Sequence, residues 1–121
     1  MHPFTILLVE DEFLIRWSLQ ERLSEAGYHV MEAEDGRSAR ELFTRGCDLV
    51  LLDLKLPDAD GRDLLHQFRE ARPKLDVVVM SAHGTPEMAK SLVREGARKF
   101  VPKPFDLDEV VRIVDGIRGE A

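Results

Sequence analysis

Leu49-Val50-Leu51-Leu52-Asp53-Leu54-Lys55-Leu56-Pro57-Asp58-Ala59-Asp60-Gly61 opens as an unbroken apolar run and then breaks, at Asp53, into a turn-rich segment. A run without polar alternation is what a strand covered on both faces looks like, as in a parallel sheet flanked by helices. Pro57 and Gly61 follow at offsets suited to a loop, so the Asp53 carboxylate sits where a buried strand opens into a turn. Ligands of open α/β sheets bind beyond the carboxyl ends of the strands, which makes this a place for chemistry.

Three other apolar runs end in polar groups fit for the same task. Leu7-Leu8-Val9 leads into Glu10-Asp11-Glu12, Val77-Val78-Val79-Met80 into Ser81, and Phe100-Val101 into Lys103. Carboxylates, a hydroxyl and an ammonium therefore stand at four strand ends. Between them the chain alternates strand-like and helix-like segments five times, the pattern of a parallel sheet with helices on both faces. Ile15, Leu19, Leu23 and Ala26 share one face of a first helix that Gly27 ends. Val30 to Ala33 precedes a helix from about Gly36 to Arg45. Leu49 to Asp53 precedes a helix through Leu64, Leu65 and Phe68 that stops before Pro73. Thr85 is the expected N-cap of a fourth helix, with Pro86 in its first turn and Gly96 closing it. Lys99 to Val101 leads to a last helix striped by Leu107, Val110, Val111, Val114 and Ile117.

The 121 residues, 44% hydrophobic, suffice for one self-standing domain. The apolar runs are far shorter than the roughly 20 residues of a membrane helix. No secretion signal is legible at the amino terminus, which points to the cytoplasm. A net charge of -6 argues against this domain gripping nucleic acid through its phosphates. Cys47, the single cysteine, fits a half-buried structural thiol rather than a nucleophile, and His2, His29, His66 and His83 are too scattered to form a zinc site.

Glu10, Asp11 and Asp53 cannot share one small crevice as anions without a cation or raised pKa values. A hard divalent ion answers this, and magnesium takes one or two carboxylates together with phosphate oxygens.

Leu8-Val9-Glu10-Asp11-Glu12, Asp53 through Gly61, Ser81-Ala82-His83-Gly84 and Lys103-Pro104-Phe105 together resemble the receiver domain of bacterial two-component response regulators, over essentially the whole chain. Ile15-Arg16-Trp17, Ser81-Ala82-His83 and Pro102-Lys103-Pro104-Phe105-Asp106 look most like receivers of the nitrogen-regulation type, which precede an AAA+ ATPase and a DNA-binding domain. The resemblance implies a flavodoxin-like (βα)5 doubly wound sheet in the order 2-1-3-4-5, a single domain over 1-121 with its core at about 4-118 and any output domain outside this chain. It implies that Asp53 is the phosphoacceptor, taking phosphoryl from a histidine kinase or phosphotransfer protein, and that the domain catalyses its own phosphorylation and dephosphorylation. Mg2+ would be held by Glu10, Asp11, Asp53 and the main-chain carbonyl of Lys55. Glu10 stands where an Asp is also common, and its extra methylene bears on whether it reaches the metal directly. Ser81 and Lys103 match the groups that hold the phosphoryl oxygens, Phe100 the switch aromatic, and the Lys103–Pro104 bond is expected to be cis, aiming the ammonium into the crevice. Lys55 and His83, two residues beyond Asp53 and Ser81, are candidates for bordering the path of a hydrolytic water and tuning the phosphoryl lifetime, with two solvated loop residues as the alternative.

Plainer readings exist for each residue. Asp53 is also a turn-initiating residue, Glu10 to Glu12 a helix start in which Glu12 is the better cap, Ser81 a strand-end hydroxyl, Lys103 a surface lysine and Phe100 a core aromatic. The agreement of four strand ends favours the functional set. Trp17 and Phe13 fall opposite the core stripe of their helix, where edge packing is the simpler account and contact with a partner or a further domain the other. The face of the fourth helix, fifth strand and fifth helix has mixed charge and is the expected signalling surface, with a homodimer through it as one use and plain solvation as the other. Alternative functions are a stand-alone single-domain shuttle, a receiver that only binds partners, and a magnesium phosphatase with an aspartyl nucleophile. That last class wants an acid two residues after the nucleophile, where this chain has Lys55.

Overall fold

The computed structural model describes residues 3–82 and 84–120. His2 and His83 lie outside the described residues, so the expectation for His83 has no structural counterpart here. Five strands, β1 (Thr5–Val9), β2 (His29–Ala33), β3 (Leu49–Asp53), β4 (Asp76–Ser81) and β5 (Lys99–Pro102), alternate with five helices. These are α1 (Phe13–Glu25), α2 (Gly36–Phe43), α3 (Gly61–Ala71), α4 (Pro86–Arg94) and α5 (Leu107–Gly119). All neighbouring strands pair in parallel, in the order β2-β1-β3-β4-β5.

The doubly wound arrangement follows from side chains alternating across each strand. Leu7, Val9, Val50, Leu52, Val77 and Val79 point to one face and pack with Ala39 of α2, Leu64, Leu65 and Phe68 of α3 and Leu92 of α4. Ile6, Leu8, Leu49, Leu51, Val78 and Met80 point to the other and meet Leu19 and Leu23 of α1 and Val110, Val114 and Ile117 of α5. Both faces being covered is why β1, β3 and β4 read as continuous apolar runs. Burying one Leu or Val in this way contributes about 1.5–3 kcal/mol, so two such layers dominate the stability of the domain.

Helix boundaries differ from the sequence expectation mainly at their ends. α2 finishes at Phe43 rather than Arg45, and β5 runs one residue further, to Pro102. Thr85 caps α4 as expected, its hydroxyl accepting from the Met88 amide at 3.1 Å. Glu12 stands at the N-cap of α1 but its side chain makes no capping bond. Its amide instead donates to Glu10 Oε2 at 3.1 Å. Cys47 is buried rather than half-buried, and burial pushes its thiol up, which suits an inert role.

Candidate functional site

β1 and β3 are neighbours although not consecutive in sequence order, so a crevice opens beyond their carboxyl ends at the switch point of the sheet. Register places the ends of β1, β3, β4 and β5 beside one another: Val9 is paired with Leu52, Asp53 with Met80, and Ser81 with Pro102. A cavity of about 280 Å³ lies there, lined by Asp11, Glu12, Asp53, Lys55, Leu56, Pro57, Ser81, Ala82 and Lys103. Four groups expected from sequence to meet thus do so, and Glu10 joins them from behind the lining.

Glu10, Asp11 and Asp53 each offer a carboxylate oxygen within 4.8 Å of the others. Glu10 is fully buried and Asp53 is 4% exposed, whereas Asp11 reaches solvent. Lys103 Nζ donates to Glu10 Oε1 and, at 3.3 Å, to Asp53 Oδ2. Asp53 Oδ1 also accepts from the Lys55 amide at 3.3 Å. Sequence reasoning left a choice between a counter-cation and a raised pKa for this trio. The structure uses both. Burial pushes the Glu10 carboxyl up to about 7, helped by Asp53 and opposed by the Lys103 and Glu12 hydrogen bonds. Burial pulls the Lys103 ammonium down, but its bonds and attraction to Glu10 and Asp53 outweigh this and hold it above its ordinary value. The donor set, oxygen only and partly protonated at neutral pH, fits a hard divalent cation that would displace the Glu10 proton.

The backbone that presents these groups is fixed closely. The Lys103 amide donates to the Ser81 carbonyl at 2.8 Å, tying the end of β5 to that of β4. The Lys103–Pro104 peptide is cis, as expected. Gly61 packs on the backbone that leaves β3: a Cβ there would sit 2.7 Å from the Asp53 carbonyl oxygen and nearer still to Leu54. No larger residue fits at that crossing without moving main chain.

Phe100 is half-buried, packed at the edge of the core on the α3 and α4 side, with its ring where a Cβ on Gly84 would otherwise stand. Two contributors were not assigned roles from sequence. Arg16 Nη1 donates to the Glu10 carbonyl at 2.8 Å, and its Nε lies 3.4 Å from Glu32 Oε1, pinning the loop that carries Glu10 and Asp11. The only hint was its position one turn past Glu12. Asp58, inside the quoted segment but read only as loop, bonds to the start of α2.

A doubly wound domain with a buried aspartate, two further acids and a lysine at its switch point belongs to the class of phosphoryl-handling signalling modules built on the flavodoxin-like fold. Residues 6–115 match the family model described as the response regulator receiver domain. The chain belongs to this family, the receivers of two-component systems. It is 38% identical over 109 residues to the DNA-binding transcriptional regulator NtrC of Klebsiella pneumoniae, covering 89% of this chain and 23% of that protein. It is 40% identical over 111 residues to NtrC of Rhizobium meliloti, covering 91% and 23%. The chain thus spans about a quarter of the length of these relatives. Among solved structures it resembles NtrX from Brucella abortus (TM-score 0.87, 35% identity, 97% of this chain and 27% of that one). It also resembles the receiver domain of the Francisella response regulator 1452 (TM-score 0.91, 25% identity, 98% of each). No described helix is long and apolar enough to cross a membrane.

Proposed function

We propose that this domain accepts a phosphoryl group on Asp53 from the phosphohistidine of a histidine kinase or phosphotransfer protein and relays that state to an output module. The observation that carries this is the placement of Asp53, almost fully buried at the cavity floor, between two further carboxylates and the Lys103 ammonium. An Asp53 carboxylate oxygen attacks phosphorus, the phosphorus–nitrogen bond breaks with its electrons going to the imidazole, and an acyl phosphate remains. Lys103 and the Ser81 hydroxyl are the protein groups that meet the transferred oxygens. Glu10, Asp11, Asp53 and the Lys55 carbonyl would hold magnesium, which when bound neutralises charge on the phosphoryl oxygens. Hydrolysis of the acyl phosphate then returns Asp53, so the domain catalyses its own cycle without being a metabolic enzyme; Lys55 and His83 are the residues we assign to tuning its lifetime.

The added charge, about two negative units, draws in Ser81 and Lys103 and biases the α4, β5 and α5 face through Phe100. We assign residues 1-121, with a core at about 4-118, as the receiver unit of a cytoplasmic transcription regulator, by analogy with the DNA-binding NtrC relatives; a homodimer through the α4, β5 and α5 face is the secondary use of that surface. The donor docks over α1, the helix that follows Glu10 to Glu12, where Phe13, Leu14 and Trp17 are 63%, 69% and 52% exposed.

Intact mass after incubation with acetyl phosphate, with and without magnesium, tests the assignment. The expected result is a magnesium-dependent gain of one phosphoryl in the wild type and none in Asp53→Asn. A gain that persists in Asp53→Asn sinks it, and wild-type protein that stays unmodified by both acetyl phosphate and its cognate kinase leaves a partner-binding domain instead.

A further inference from the structure

We propose that Asp58 is a positioning residue, which anchors the loop between β3 and α3 to the start of α2 and so holds the Lys55 main-chain carbonyl ready for the cation. This rests on the reading of the acidic crevice as a magnesium site.

Asp58 Oδ1 accepts from the Gly36 amide at 2.7 Å and Oδ2 from the Arg37 amide at 3.0 Å. Helix starts leave four amides without an intrahelical partner. In α2 the local residue Asp35 serves one of them, its side chain taking Ser38 at 2.8 Å, while its carbonyl accepts the first intrahelical bond, from Ala39 at 3.1 Å. Those of Gly36 and Arg37 are taken by a carboxylate 22 and 21 residues away, with both of its oxygens in use. Charge-assisted bonds to a helix N-terminus are among the stronger polar contacts. Water would serve the exposed Arg37 amide almost as well, so the consequence of this arrangement falls on the loop that supplies Asp58.

That loop is closed at its base. The Gly61 amide donates to the Leu54 carbonyl at 2.8 Å, Lys55 and Asp60 form an antiparallel bridge, and Asp60 caps α3 through the Arg62 amide at 2.9 Å. Its tip, Pro57 to Ala59, is the part those bonds leave unfixed, and there the loop sits against α2: a Cβ on Gly36 would stand 2.6 Å from the Ala59 Cβ. Asp58 therefore converts a loop held at its stem into one held at stem and tip. Lys55 belongs to the stem and leads into the tip, two residues after the phosphoacceptor whose Oδ1 its amide already meets at 3.3 Å. A ligand carbonyl set before the cation arrives costs no ordering at the moment of binding.

The test uses the metal-free chain and magnesium alone, titrated by amide chemical shifts, in the wild type, Asp58→Ala and Asp58→Asn. The magnesium Kd is expected to weaken on the order of tenfold in Asp58→Ala, the range seen when groups that orient metal ligands are removed, with the acetyl phosphate rate at saturating magnesium within about twofold of wild type. Asp58→Asn should fall between, because an amide oxygen accepts while its nitrogen does not. An Asp58→Ala protein that is less stable to urea yet binds magnesium as the wild type does would show a helix cap and nothing more, overturning the proposal. So would a saturated rate that falls in step with affinity. If the wild type itself binds no magnesium, the site assignment fails and this inference fails with it; unchanged affinity in the variants alone overturns only the role of Asp58.

Discussion

Replacing Lys103 with methionine keeps the aliphatic stem and removes the charge that two buried carboxylates share. Lys103 Nζ bonds to Glu10, which is fully buried, and to Asp53 at 3.3 Å, which is 4% exposed. Even with that counterion, burial raises the Glu10 carboxyl from 4.5 to about 7, so its ionised form above neutrality already costs about 3 kcal/mol. Removing one partner of a buried pair typically costs a further 3–5 kcal/mol if the other stays charged. Glu10 has an escape, since taking up a proton removes both its own desolvation and its repulsion with Asp53. A carboxyl whose folded pKa is raised contributes stability that is full below the unfolded value and is lost as pH rises through the folded one. In Lys103→Met the folded value moves further up, so the loss extends beyond about pH 7. Urea unfolding of metal-free protein should therefore show a deficit on the order of 1 kcal/mol near pH 5 and roughly 3–5 kcal/mol near pH 8. Magnesium should recover part of the alkaline deficit by replacing the missing positive charge. A deficit equal at the two pH values, or larger at the acidic one, refutes the claim that Glu10 is the strained member of the trio.

Gly84→Ala places a methyl group on the Phe100 ring, and the ring is the movable partner. The ring should shift to make room, seen as moved Phe100 ring proton resonances, with a stability change of only about 1–2 kcal/mol; ring resonances that stay where they are in the wild type contradict the packing described. Gly61→Ala meets backbone at Leu54 and Asp53, which cannot swing away, so urea unfolding should show a loss of roughly 3 kcal/mol and a weaker magnesium response. Tyr28, the single tyrosine, donates to Asp115, and burial followed by that contact raises its pKa to about 12. Its contribution is present below the unfolded value of 10.0 and fades as pH rises to about 12, so an ultraviolet phenolate titration should have its midpoint near the upper value. Tyr28→Phe should cost about 1 kcal/mol at neutral pH and lack that alkaline loss.

The sheet was legible because three of its strands are buried on both faces, a condition that leaves no polar residue inside Leu7 to Val9, Val50 to Leu52 or Val77 to Met80. Where a strand is less covered the signal is weaker: β2, with His29 and Glu32 exposed, was placed one residue short. The site was legible for a related reason. Polar residues that interrupt such runs stand out, and parallel order brings their ends together. What the sequence did not show were contacts whose partners lie far apart and whose residue types are ordinary on a surface. Asp58 on the Gly36 and Arg37 amides is of this kind, whereas Arg16 on the Glu10 carbonyl, only six residues away, was hidden by its ordinary residue type alone. The Glu12 side chain makes no capping bond to α1, and the Glu12 amide is taken by the Glu10 carboxylate, which Lys103 holds inward, a set of contacts visible only in three dimensions.

The sharing of Lys103 between Glu10 and Asp53 also bears on how the proposed switch works. Lys103 has three donor hydrogens and a fixed backbone, its amide held by the Ser81 carbonyl, so it turns its ammonium rather than moving its strand. In the resting arrangement that ammonium serves Glu10 and Asp53 together. A phosphoryl group on Asp53 presents stronger acceptors in the same direction, and every bond Lys103 makes to it weakens the one to Glu10. Glu10, fully buried, then needs either a proton or a metal charge. Phosphorylation and cation binding are therefore coupled through one side chain. The sign follows from that chain: magnesium should bind more tightly to the modified protein, and Lys103→Met, having no ammonium to redistribute, should lose the part of this difference that the phosphoryl oxygens do not supply themselves, while still binding the cation.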